Sequence, residues 1–149
     1  MNKILSFHGK ELDILLSGAA AKQSETLSST VVVEIQIYFS CLLGKRLAFY
    51  SRESIDNAYP LDKDIFSEIL ADSQTLTENI KLRFNTVMTK ACSVSDHAGP
   101  PPVTDFKIAN QKPYVPSWLT IDYKDGIWSG KYGWDTENKN LSNIKQITA

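Results

Sequence analysis

The chain has 149 residues, 42% of them hydrophobic and 22% charged, with a formal net charge of -1. That length suits one domain able to bury a core without disulfide or metal staples, and the near-neutral balance excludes a long-range field that would draw in nucleic acid or anionic lipid. Two cysteines make no disulfide framework and form no C-x-x-C pair, which points to a reducing, cytoplasmic setting.

At the N-terminus, Ser6, His8, Gly9, Lys10, Glu11 and Asp13 interrupt what would have to be the apolar core of a signal peptide. Apolar runs on both sides of the polar His-Gly-Lys-Glu centre predict two short strands joined by a tight turn. No stretch of about 18 apolar residues follows anywhere, so no membrane-spanning helix is expected. The Ser- and Thr-rich segment Gly18 to Ser29 lacks periodicity and reads as a loop with at most one helical turn through its alanines.

From Thr30 the pattern is strict. Val31, Val33, Ile35, Ile37, Phe39 and Cys41 are apolar while Glu34, Gln36 and Ser40 fall between them, which predicts a strand with its odd face in the core. Gly44-Lys45 then supplies turn chemistry before Arg46 to Ser51, so the pair reads as a hairpin in which Leu47, Phe49 and Tyr50 help cover the core.

After Pro60, Leu61, Ile65, Phe66, Ile69 and Leu70 take helical spacing, predicting the one principal helix over about residues 62–73, with Asp62 or Asp64 as its cap. Its apolar stripe must be buried, and the sheet is the nearest surface. Alternation returns with Ile80, Leu82, Phe84, Met88 and Cys92 facing inward and Lys81, Arg83 and Asn85 facing water. Val103 to Ile108 reads as a short strand, whereas Pro113 and Pro116 exclude helix interior and central strand nearby.

Asp125-Gly126 predicts a two-residue hairpin turn, with Tyr123 opposite Trp128, Ile121 opposite Gly130 and Leu119 opposite Tyr132. That register puts the apolar residues of both strands on one face, and leaves Trp118 on the other. Beyond Trp134 the chain is polar, so residues 135–149 are expected to be a loosely held tail on a domain of residues 1–134.

One loop gathers chemistry-bearing residues. Cys92, Asp96, His97 and Asp105 surround Pro100, Pro101 and Pro102, and they could serve as nucleophile, orienting carboxylates and base of a Cys-His site. Against this, Cys92 falls on the apolar face of its strand, and the prolines favour a stiff connector that can also act as a docking surface. No ligand-spacing motif predicts a metal site and no signature implies a cofactor. Basic residues beside Tyr50 and Phe84 resemble a phosphate-and-stacking arrangement, but without positive net charge nucleic acid is not the expected partner.

The pattern as a whole predicts an α+β fold, a mainly antiparallel sheet of about six to eight strands with one helix packed on it. A small β-barrel with one helix is the second architecture that satisfies it. A non-catalytic interaction or accessory module, meeting a protein partner, is the expected function; a small enzyme or ligand-binding protein using the Cys92–Phe106 loop is the alternative.

Overall fold

In the computed structural model, residues 1–39, 43–53, 58–89, 103–105 and 112–134 are described. The N-terminal apolar runs become β1 (Asn2–Phe7) and β2 (Lys10–Leu16), an antiparallel pair with Phe7 opposite Lys10. Their two-residue turn holds His8 at φ 51° and Gly9 at φ 77°, the left-handed conformation such a turn demands. After α1 (Gly18–Thr26) come β3 (Val31–Phe39), β4 (Leu43–Ser51), β5 (Tyr59–Pro60), α2 (Lys63–Ala71), β6 (Gln74–Thr75), β7 (Ile80–Thr89), β8 (Val103–Asp105), β9 (Trp118–Lys124) and β10 (Ile127–Gly133).

The fold is α+β, as expected, but the strands divide between two sheets and close no barrel among the described residues. One sheet has the order β1-β2-β9-β10, and the other has β5-β4-β3-β7-β6 with β8 added on β7. Hairpins make most neighbours antiparallel. β2 with β9, β3 with β7 and β4 with β5 run parallel, because their connections cross over rather than turn back.

The two sheets pack face to face. Phe7, Leu12, Ile14, Leu119, Ile121 and Trp128 of the first meet Val33, Ile35, Ile37, Leu82 and Phe84 of the second in one continuous apolar core. The far side of the second sheet carries α2, whose Phe66 and Ile69 bury against Val32, Ala48 and Tyr50. Asp62 caps that helix, accepting from the Asp64 and Ile65 amides at 3.0 Å each, so the predicted acidic N-cap is the first of the two candidates.

Several expectations are corrected. Gly18–Thr26 is a helix, not a loop: the Ser17 hydroxyl accepts from the Ala20 amide at 3.1 Å, three consecutive alanines favour the conformation, and Ala20 reaches the core. Periodicity missed it because alanine and serine leave no apolar stripe. Gly44 and Lys45 do not form the reversal after β3 but pair within the sheet, opposite Tyr38 and Ile37. Adjacent strand residues point to opposite faces, so Phe49 packs on the main core while Tyr50 lies under α2.

Neither the even face of β3 nor the charged face of β7 is simply solvated. Glu34 is 3% exposed and Gln36 is 0% exposed, because α2 and the neighbouring strands cover the side that alternation assigns to water. The short strand after the proline run is present as β8, paired with β7, and Pro113 sits in a single 3-10 turn at Lys112–Tyr114. Cys41, Cys92 and residues 135–149 lie outside the described residues.

The C-terminal hairpin has the predicted register, with Lys124 opposite Ile127, Tyr123 opposite Trp128 and Leu119 opposite Tyr132. Asp125 at φ 52° and Gly126 at φ 78° make the turn. Trp118 points away from the main core yet is only 4% exposed.

This hairpin yields a comparison of three substitutions in denaturant melts. A Cβ at Gly126 would meet no atom within 4 Å, so Gly126→Val is penalised by its positive φ alone and should cost about 1–3 kcal/mol. Trp128→Ala should cost about 3–5 kcal/mol, and exposed Ser129→Ala should stay within about 0.5 kcal/mol.

Candidate functional site

Of the four residues singled out in the proline-flanked loop, Cys92, Asp96 and His97 lie outside the described residues, and Asp105 ends β8 across from Val87. His8, the other histidine, packs its ring on Phe7 and Phe84 with centroids 4.5 and 5.7 Å away. Among the described residues no three His, Cys, Asp or Glu side chains gather to hold a metal ion. Tyr50 and Phe84 are both buried, so neither offers a face on which a base could stack.

The polar side chains that the fold does bring together lie on β3 and its neighbours, beside α2. Arg83 of β7 pairs with Glu34 and, at 3.0 Å, with Asp72 just past the end of α2. Gln36 donates to Glu34 and to the Tyr50 hydroxyl, the latter at 3.1 Å. Its side-chain oxygen accepts from Arg46 Nε at 3.1 Å and from a second Arg46 nitrogen at 2.6 Å. Burial opposes the charge on Arg83, but Glu34 and Asp72 overcome that penalty and raise its pKa above the ordinary arginine value. Burial first, and then the negative charge of Glu34, push the Tyr50 phenol up to about 12.

Arg46 joins this cluster to a cleft. Among the described residues β4 has no neighbour beyond β3 except at Tyr50 and Ser51, which meet β5, and β10 is the outer strand of its own sheet. These two edges face each other across a cavity of about 420 Å³ lined by Lys45, Arg46, Leu47, Trp118, Gly130, Lys131 and Tyr132. Gly130 is there for close approach: a Cβ on it would stand 2.7 Å from Leu47 Cδ1 and closer still to the Thr120 carbonyl.

Polar contacts tie the edges together. Lys45 Nζ donates to the Tyr132 carbonyl at 2.9 Å and lies 5.5 and 5.3 Å from the ring centroids of Tyr132 and Trp134. The Tyr132 hydroxyl donates to the backbone carbonyl of Gln36. Trp134 Nε1 reaches the Tyr114 carbonyl at 3.3 Å, and Trp118, which the hairpin register places on the other face, lines the cleft. No pattern along the chain could have found this arrangement, since its residues come from β4 on one side and from β9 and β10, far along the chain, on the other. Chemically it presents three cations, apolar surface and, among the described residues, no carboxylate.

No family model matches the chain, and neither a curated protein nor a solved structure matches it.

The Tyr50 shift sets a pH dependence. A phenol whose folded pKa is raised favours the fold in its neutral form, so its contribution is fully present below pH 10.0 and is lost as pH rises through about 12. Urea melts across that window should show wild type losing stability more steeply than Tyr50→Phe, and absorbance titration should show one tyrosine ionising late. Equal slopes for the two proteins would remove Tyr50 from the buried cluster.

Proposed function

We propose that this protein is a non-catalytic binding module whose recognition surface is the cleft between β4 and β10. The observation that carries the reading is the cavity itself, about 420 Å³ bounded by two strand edges from different sheets. That volume lies within the range of small-molecule sites, which combine an apolar lining with a few placed polar groups. Rigid strands rather than loops supply its walls, so its shape is set before a ligand arrives and little ordering is demanded on binding.

The polar cluster beside α2 supports the same reading through its position. Glu34, Gln36 and Arg83 satisfy one another within the protein, and such a cluster holds strands in place rather than turning over a substrate. The two cysteines, with no pairing motif, favour a reducing compartment such as the cytoplasm for this activity.

A fragment screen followed by amide chemical shifts on the isotope-labelled protein tests the proposal. Bound fragments should perturb Leu47, Gly130 and Lys131 together and should be recovered chemically unchanged. Hits that perturb other surfaces and spare these three, or fragments that are converted, would contradict it.

A further inference from the structure

We propose that β1 pairs edge to edge with β1 of a second copy of this chain, joining their four-stranded sheets into one continuous sheet across a two-fold axis at Ile4. β1 is the outer strand of its sheet, and among the described residues no strand lies beyond it. The two-residue turn at His8-Gly9 closes on Phe7 and Lys10, a pair that exchanges hydrogen bonds, and at the far end the Leu16 amide donates to the Met1 carbonyl at 2.8 Å. Alternation between these ends turns the backbone groups of Lys3 and Leu5 toward β2. It turns those of Asn2, Ile4 and Ser6 outward, and Gln74 Nε2 reaches the Ser6 carbonyl from that side at 2.9 Å.

The other sheet edges are protected and this one is not. β5 and β6 have two residues each, β5 carries Pro60, and β10 faces β4 across the cleft, where Lys45 occupies the Tyr132 carbonyl. β1 runs six residues without a proline or a bulge, in unbroken register from Asn2 to Phe7. Its one charge does not guard the edge, because Lys3 Nζ is drawn to the Leu76 carbonyl, beside β6, at 2.8 Å. Ile4, 64% exposed, is the most exposed large apolar side chain among the described residues, and Asn2, Lys3 and Ser6 are exposed with it.

Charge and register select a copy of the same strand as the partner. Bonds across the new interface need residues whose backbone groups point outward, so Asn2, Ile4 and Ser6 of one copy must meet the same three of the other. Antiparallel pairing uses all three when Ile4 faces Ile4 and Asn2 faces Ser6. Lys3 then stands opposite Leu5, whereas a slip of two residues one way sets Lys3 against Lys3, and a slip the other way drives Asn2 onto the turn at His8. The exposed Ile4 side chains bury against each other, and the Ser6 carbonyl has a second lone pair for the incoming Asn2 amide. Such a pairing closes on itself, giving a dimer rather than a fibre. About six main-chain hydrogen bonds and one apolar pair make a small interface, so the dimer is weak and forms at high concentration. β1 and β10 are at opposite ends of their sheet, which leaves the cleft of each copy open.

Sedimentation equilibrium of the full chain, from about 10 μM to about 1 mM, should show the mass rising from one chain toward two. Over the same range, hydrogen exchange of the Ile4 and Ser6 amides should slow as concentration rises. Ile4→Lys and Ile4→Glu each place like charges face to face; at an exposed position that keeps the fold by its amide spectrum, each should weaken association by about tenfold or more. An equimolar mixture of the two variants should restore it, because a two-fold pairing centred on Ile4 sets the introduced charges opposite each other. A wild-type mass of one chain throughout, with Ile4 exchange independent of concentration, would overturn the proposal. So would a dimer that both variants form as tightly as wild type, or association that each variant loses and their mixture does not recover.

Discussion

Glu34 and Gln36 stand in the middle of a strand covered on both sides, and their polar atoms must be satisfied without water. An unpaired buried carboxylate or amide would cost several kcal/mol, comparable to much of the net stability of a domain this size. The partners come from every neighbouring element: Arg83 from β7, Arg46 and Tyr50 from β4, and Asp72 from the end of α2, through Arg83. Apolar packing brings α2 and the sheet together, but this set of hydrogen bonds fixes which residues lie opposite which.

The same residue reaches the other face. Gln36 uses its side chain to bind the cluster beside α2, while its backbone carbonyl accepts the hydroxyl of Tyr132 from β10. The second sheet is thereby pinned to the first at the place where β4 and β10 approach. Arg46 extends the arrangement from Gln36 to the cleft wall, and Lys45 closes the span to the Tyr132 carbonyl. Order in a buried network is in this way transmitted through side chains to the walls of the open cleft.

Much of the architecture was readable along the chain because local rules determined it. Asp125-Gly126 demands positive φ, so the C-terminal hairpin and its register followed from turn chemistry and from the cost of moving an apolar set into water, while the polar centre around His8-Gly9 marked the N-terminal pair of strands without giving their register. Asp62 before an apolar helical run located α2. By contrast, Gly18–Thr26 hid its helix in small residues. The alternation of β3 correctly marked Val33 and Ile35 as core but could not tell that Glu34 and Gln36 were covered as well, because that depends on a helix arriving from thirty residues downstream. The crossovers that set strands parallel, and the meeting of Lys45 with Tyr132, are likewise products of chain-distant packing. The stretch from Cys92 to Phe106 stands out in the sequence by its residue types, whereas the cleft is made of types, lysine, leucine and glycine, that look ordinary until two edges place them together.

Amide hydrogen exchange of β3 measures this central constraint directly. If the strand is covered on both faces and its polar side chains are satisfied within the fold, the amides from Val32 to Ile37 should exchange only when the whole molecule unfolds, with an opening free energy equal to the stability found in urea. Exchange of Glu34 and Gln36 amides through openings well below that global value, while β9 stays protected, would contradict it: water would then reach β3 without unfolding the protein, and the cluster beside α2 could not be what holds the second sheet in place.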